Sequence, residues 1–558
     1  MRAAGLVAIA LAGLSAGACA NYAQPTPPVA AAYANFLVGR LADLRQDHDA
    51  ASEHYYEALQ RAPADPGLIE GAIGSALAAG DVARARDVAE MAASRRVAAP
   101  HASMVRAVDA LAAGRWRLAR EQALHIRGGA SADLIQRILL VWARAGEGRA
   151  QEGVAEIGDA ADARPFTGLF AYQRAMAFDF AGRDAEALAA YQDAAQGGLW
   201  LPSGIERRAD LLARTGAKDQ ALEVLGRADG REDNPLLSAD AARLAADGTL
   251  RLPPLTPARG AAIGLYGVSA VLLQDSDPTD GLAALTLALM LDANLDGARI
   301  SYAQAQVQLG HSAKAREALA HVSPQSPLYE TARTMEAWVL LGEGREADAA
   351  AAAQANVDAG GGARAQRALA DIERSIGRYA DAEPIYTALI GEGSDDWRLY
   401  FARGAARERL RRWAEAEADL RRALEISPDQ PEVLNYLGYS WVDRGEHLEE
   451  GLAMLQHAVE IRPQSGAIID SLGWAYFKLG QYDEAISYLE RAVELTPSDS
   501  IVNNHLGDAY WRAAKHVEAR FQWQRAMSLG PDDADRPALE QKLANGLPAL
   551  PASRSAHR

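Results

Sequence analysis

A period of thirty-four residues constrains this chain more than any single motif in it. The segment "SLGWAYFKLGQYDEAISYLERAVELTP", Ser471 to Pro497, contains one complete unit. Leu472 and Tyr476 lie four residues apart and share a helical face. Gly480 ends that pattern, as a glycine just past a helix usually does. Asp483 and Glu484 follow where the N-terminus of a second helix favours acids. Ala485, Leu489 and Ala492 then form a second apolar stripe, and Pro497 forbids continuation. Thirty-four residues on, Leu472 becomes Leu506, Gly473 becomes Gly507 and Tyr476 becomes Tyr510. Ala485, Leu489, Ala492 and Pro497 become Ala519, Trp523, Ala526 and Pro531. One unit back, with one extra residue in the turn, stand Leu437, Gly438, Trp441, Gly451, Leu455, Ala458 and Pro463. A lone hairpin of this kind leaves one apolar side open, and an identical neighbour covers it.

This spacing, L-G-x-x-Y then A-x-x-x-L, A and P, resembles the tetratricopeptide repeat. The resemblance is fullest from Trp397 to Asp533. Upstream, thinner copies keep Gly39, Ala51, Tyr55, Ala58 and Pro63, then Gly182, Ala187, Tyr191 and Ala194. Further copies keep Gly216, Ala221, Leu225 and Ala228, then Gly310, Ala315 and Leu319, then Gly377, Ala382 and Tyr386. Roughly thirteen or fourteen repeats fit the chain. The expected fold is therefore all-α, a tetratricopeptide-repeat superhelix of helical hairpins (an α-solenoid). A 558-residue solenoid needs no single large core. No run of period-two strands appears.

The chain divides, on this reading, into residues 1–19 as a signal peptide and 20–31 as a proline-stiffened tether. Residues 32–228 form a degenerate N-terminal array and 259–533 a C-terminal array. Between them, 229–258 carries four prolines and several glycines and reads as an irregular linker. Residues 534–558 supply a capping helix and a disordered tail.

The N-terminus, "MRAAGLVAIALAGLSAGAC", has one basic residue, a small apolar run and small residues before Cys19, the only cysteine in the chain. That is the composition of a secretory leader, too short for a membrane span. A lone cysteine after Ala16-Gly17-Ala18 resembles a bacterial lipobox, with Ala16 where the usual leucine stands. Lipidation of Cys19 is expected, and the alternative is simple cleavage to a soluble periplasmic protein. Ala20 and Asn21 carry no aspartate retention signal, which by the family's sorting rules implies an outer-membrane lipoprotein facing the periplasm.

The net charge of −17 argues against nucleic-acid or anionic-membrane binding as the main role, and membrane contact is expected through a lipid anchor only. No cofactor, metal or catalytic residue is expected. The histidine pairs His48/His54 and His311/His321 lack zinc-helix spacing, and no nucleophile elbow or phosphate loop is present. "DAGGGARAQ", Asp358 to Gln366, falls where a hairpin connection is due. The protein reads as no enzyme.

Opposite the packing stripe, Asp470, Trp474 and Phe477 form a second stripe on the first helix of their hairpin. The neighbouring hairpins place Asn504, Asp508 and Trp511, and Asn435, Tyr439 and Val442, at the same positions. In the fold this resembles, that stripe lines the concave groove. Amides there can pair with an extended peptide and rings can hold its apolar side chains. Asn435, Tyr439, Asp470, Trp474, Phe477, Asn504, Asp508 and Trp511 are the candidate partner-binding residues; Trp474, Asn504 and Trp511 are expected to be largely solvent-facing, the alternative for Trp474 and Trp511 being packing against a neighbouring repeat's helix. Trp441 and Trp523 fall at core positions. The last hundred residues, with "VLNYLGYSWVDRG" and "AIIDSLGWAYFKLG", are similar to proteobacterial envelope tetratricopeptide lipoproteins. One branch of those is the adaptor of a periplasmic carboxyl-terminal processing protease that trims cell-wall hydrolases. The resemblance implies a scaffold or adaptor for protein partners. Scaffolding of outer-membrane or cell-wall assembly without a protease, and a cell-wall enzyme with an unrecognised site, are the alternatives.

Overall fold

The computed structural model describes residues 28–158, 166–196, 201–229, 234–274, 277–391 and 395–548. The leader, Cys19 and the final residues 549–558 lie outside that set. The described residues are helical throughout, with no strand, and they form two compact units that divide between Glu343 and Gly344.

The period has a backbone signature. Two residues before the second helix of a hairpin, the chain enters the left-handed region. It does so at Gly80, Gly114, Gly148, Gly182 and Gly216, each thirty-four residues from the last. Gln46, Arg411 and Ala514 hold the same position without glycine's freedom. The small positions also act as the spacing suggested. A Cβ added at Gly473 would lie 2.7 Å from Leu489, and one at Gly507 2.5 Å from Trp523. These two hairpins close because the first helix has no side chain there.

The unit from Gly344 onward is a plain solenoid. Helix Glu346–Asp358 is followed by five hairpins, from Ala363–Ser375 with Tyr379–Gly391 to Ser500–Arg512 with His516–Ser528, and by helix Arg536–Asn545. Its core consists of small clusters between neighbours. Leu472 joins Leu455 and Val442 in one, and Leu506 joins Leu489 and Ala485 in the next. Trp441 and Trp523 are fully buried, as their repeat positions required.

The N-terminal unit is built differently. It holds eight hairpins and the helices Pro235–Asp247 and Tyr329–Gly342. One large core runs from Ala42 to Ala305, while Pro235–Asp247 packs in a separate cluster with Pro202–Arg214 and Lys218–Asp229, and Tyr329–Gly342 in another with Ser312–Ala320. Helices Pro257–Leu272 and Thr279–Leu291 turn back onto the first helices of earlier hairpins: Pro66–Ala78, Pro100–Ala112, Ala130–Gly146 and Thr167–Phe180. Gly260, Gly264 and Gly267 make this possible. A Cβ at Gly260 would stand 2.1 Å from Trp142, and one at Gly267 2.5 Å from Leu169. Tyr302 Oη donates to Ala78 O across 224 residues of sequence. The inner side of this unit is thus filled by its own chain.

The structure corrects three boundaries. Residues 229–258 are not simply irregular, because Pro235–Asp247 is a helix. The Asn234 side chain accepts from the amides of Leu236 and Leu237, and Gly248 ends the helix in the left-handed conformation. Pro235 stands at the first helical position, where proline starts a helix rather than breaking one. Residues 259–343 belong with the N-terminal unit and not with the C-terminal array, because the glycine face just described seats them there. The expected tether loses residues 28–31 to helix Pro28–Leu44. The capping helix does form, over Arg536–Asn545.

Candidate partner-binding groove

In the C-terminal unit the first helices of successive hairpins pack on one another: Pro431–Arg444 on Gly466–Lys478, and Gly466–Lys478 on Ser500–Arg512. They form the inner wall. The eight residues singled out from the sequence all lie on these three helices, but none is freely exposed.

At the centre, Trp474 stacks on Phe477 (ring centroids 4.7 Å apart, planes at 15°) and on His505 of the next hairpin (4.1 Å, 21°). His505 Nδ1 lies 3.0 Å from both carboxylate oxygens of Asp470. Burial pulls the His505 pKa down, but the charge and hydrogen bond of Asp470, with Asp508 beyond, outweigh it and hold it above the usual histidine value. The ring thus lies between the Asp470 carboxylate and the Trp474 indole, a setting that favours its protonated form. Tyr439 borders the same carboxylate. Its phenol is pushed up to about 12 by burial first and then by Asp443 and Asp470.

Two buried polar atoms of this wall have no hydrogen-bond partner among the described residues: Trp474 Nε1 and Asn435 Oδ1. One is a donor and the other an acceptor. Trp413 Nε1, Asn503 Oδ1 and Gln522 Oε1 are in the same condition. Of the first pair, Trp474 belongs to the ring stack, and Asn435 stands on the neighbouring first helix Pro431–Arg444. Unpaired buried polar atoms are rare in native proteins because each costs about 1–3 kcal/mol.

At the last hairpin the expectation of a solvent-facing stripe fails, and the chain itself is the reason. Helix Arg536–Asn545 lies along it. Lys542 Nζ donates to Asn504 Oδ1 (2.9 Å) and Asp508 Oδ2 (2.7 Å). Trp523 Nε1 donates to Asp508 Oδ1 (2.9 Å). Gly546 presses on Trp511 so closely that a Cβ there would stand 1.9 Å from the indole. Asp470 and Asp508 are 7% and 4% exposed, so both carboxylates are spent on internal partners. The C-terminal helix thus occupies Asn504, Asp508 and Trp511; Asp508 is buried, and Asn504 and Trp511 are half-buried, as are Asn435, Tyr439, Trp474 and Phe477 on the wall. The sequence reading missed His505 and Lys542. His505 stands one residue beyond the stripe position Asn504, and Lys542 lies in a helix read only as a cap. Among the described residues, no cluster of side chains suits a metal ion.

A tetratricopeptide repeat model matches residues 367–431, 401–465 and 471–534. This part of the chain is a tetratricopeptide repeat array. Among curated protein sequences, none matches the chain. Among solved structures, a tetratricopeptide repeat protein from Parabacteroides merdae is 17% identical, with a TM-score of 0.39 over 45% of this chain and 99% of that one. The Cut9–Hcn1 hetero-tetramer of the APC/C gives 15% identity and a TM-score of 0.40 over 93% and 96%. MamA AMB-1 gives 24% and 0.27 over 29% and 96%. Likeness at this level is one of repeated helical hairpins and extends to nothing further. Outside the matched residues, the chain is still a succession of tetratricopeptide-like hairpins.

Proposed function

We propose that this protein is a non-catalytic scaffold or adaptor of the bacterial cell envelope, whose tetratricopeptide groove holds an extended segment of a protein partner. A tetratricopeptide array is a protein–protein interaction scaffold. The observation that carries the reading here is the Phe477–Trp474–His505 stack, with the unpaired Trp474 Nε1 and Asn435 Oδ1 on the same wall. Both atoms lie beneath the surface, so a peptide that spreads the wall would meet an unpaired indole N–H and an unpaired amide carbonyl, and apolar side chains lie well on stacked rings. The finer reading places the protein on the periplasmic face of the outer membrane through a lipid on Cys19. The leader-like N-terminus supports it. The C-terminal resemblance supports an adaptor for a carboxyl-terminal processing protease and its cell-wall hydrolase substrates. Among the described residues, no helix is long and apolar enough to cross a membrane.

Copurification from a detergent-solubilised envelope tests this, with Trp474→Phe beside the wild type. The phenylalanine keeps the stack and removes the one donor. Partner retention should fall about tenfold while the melting temperature holds, since that N–H pairs with nothing in the free protein. A processing protease in the eluate supports the adaptor, and assembly factors alone support a scaffold without one. Turnover of peptidoglycan by the pure protein overturns the non-catalytic reading. Equal retention by Trp474→Phe overturns the groove assignment.

A further inference from the structure

Fifteen large apolar side chains are well exposed among the described residues, and five of them lie on one helix, Pro28–Leu44: Tyr33, Leu37, Val38, Leu41 and Leu44. Tyr33, Leu37, Leu41 and Leu44 follow at spacings of four, four and three, so they share one face, and Val38 adjoins it. Leu44 is 77% exposed and Tyr33 62%. The opposite face packs through Ala32, Gly39 and Ala42. Arg40 and Arg45 are exposed on either flank of the stripe. The helix has a single carboxylate, Asp43, and it turns inward, accepting from Tyr55 Oη (2.7 Å) and Ser75 Oγ (2.8 Å). In a chain of net charge −17, this helix offers an apolar face flanked by Arg40 and Arg45, with the nearest exposed carboxylates off the helix itself, at Asp47 and at Glu57, which Asn35 holds.

We infer that helix Pro28–Leu44 lies in the surface of an anionic lipid bilayer, with Leu37, Leu41 and Leu44 among the acyl chains and Arg40 and Arg45 at the headgroups. An in-plane amphipathic helix takes this form, with an apolar stripe, flanking Lys or Arg, and an aromatic ring at the interface. A second copy of the chain suits the face less well. Seventeen residues make a stripe ~25 Å long and roughly 10 Å wide, a few hundred Å², against roughly 800 Å² per partner in a stable dimer. At the far end of the chain, helix Arg536–Asn545 already covers the last hairpin, so no matching open end is offered for head-to-tail stacking. The inference does not depend on lipidation. If Cys19 is acylated, the nine residues to Pro28 reach at most ~30 Å and would keep the helix at the bilayer.

The test uses the chain from Ala20 onward, which keeps every described residue and lacks both leader and acceptor cysteine. It is floated with vesicles of phosphatidylethanolamine and phosphatidylglycerol at three to one. The wild type should float, and more so as phosphatidylglycerol increases. Leu37→Asp with Leu41→Asp should lower partitioning at least about tenfold with little change in melting temperature, because the outer half of each side chain is already in water. Arg40→Glu with Arg45→Glu should abolish the dependence on phosphatidylglycerol. Trp474→Ala should float as the wild type does, which separates this face from the groove. A wild type that stays with the soluble fraction overturns the inference, as does a doubly aspartate-substituted chain that floats equally well. So does a wild-type dimer that the aspartates convert to monomer without any flotation, which would assign the face to a second copy.

Discussion

Replacing Lys542 with methionine should release the C-terminal helix from the groove while leaving the solenoid folded. Helix Arg536–Asn545 has ten residues, too few to persist alone in water. It is held by buried Leu539, by Arg520 Nη1 donating to Leu543 O (2.9 Å), by Arg512 Nη1 donating to Pro548 O (2.8 Å), and by the two bonds of Lys542. The Lys542 and Asp508 side chains are 18% and 6% exposed, so this is largely a buried pair. Removing one partner of such a pair costs ~3–5 kcal/mol. Trp523 Nε1 still serves Asp508 and the lysine is partly solvated, so the loss here is about 2–3 kcal/mol. Methionine keeps the apolar stem, which confines the change to the ammonium. The docked helix should then open about 30- to 150-fold more often. Amide hydrogen exchange across residues 536–545 should quicken by that factor, and the emission of Trp511 should shift red as Gly546 lifts away. Adding Asp508→Asn removes the stranded charge and should restore part of the loss, which a double-mutant cycle reads directly. Unchanged exchange in Lys542→Met would refute the reasoning. So would a fall in the melting of the whole unit without local opening, because the lysine would then belong to the cooperative core.

Two further expectations follow from the N-terminal unit. Glu206 is buried beside Asp240, and burial first, then the negative charge of that neighbour, raises its pKa well above the ordinary carboxylate value; burial raises Asp240 too, so the pair keeps a proton to higher pH than a free carboxyl does. A carboxyl raised in the fold contributes stability fully below its unfolded pKa, about 4.3, and loses it as pH climbs through the folded value. Glu206→Gln should therefore melt like the wild type near pH 4.5 and higher than it at pH 8, and parallel melting curves would refute the shared proton. A fragment beginning at Gly344 should give a helical spectrum and a cooperative melt. One beginning at Arg259 should aggregate, because residues 257–291 leave behind the helices that cover them; clean folding of the longer fragment would refute the unit boundary.

The fold was legible because the repeat states itself many times. Leu, Gly and Tyr in the first helix, Ala and Leu in the second and a proline after it recur until chance is excluded, and the left-handed turn adds a fourth mark at the same spacing. What stayed hidden was contact outside the repeat. Pro235 looked like a breaker because proline starts and stops helices alike. Gly260, Gly264 and Gly267 do share one helical face at spacings of four and three, a pattern of close approach that could have been read, but nothing in it names Trp142 as the neighbour. The groove was half legible for a similar reason. Spacing placed Trp474, Asn435 and Tyr439 on the inner wall. It could not show that Lys542, thirty-eight residues beyond Asn504, would fold back and take the same carboxylate a ligand would seek.

The backward turn of residues 257–306 also sets an order of events during synthesis. The C-terminal unit can assemble hairpin by hairpin as it emerges, because each new pair needs only the one before it. The N-terminal unit cannot. Its earlier hairpins leave the ribosome presenting Ile138, Trp142 and Leu169, and the helices that close over that wall are in place only once Tyr302 and Gln306 can reach Ala78. At synthesis rates of about 5–20 residues per second, more than two hundred residues amount to roughly ten to forty-five seconds with an apolar wall uncovered. Nonlocal closure is slow as well as late. The half of the chain written in the weaker repeats is thus the half that most needs shielding before it is finished.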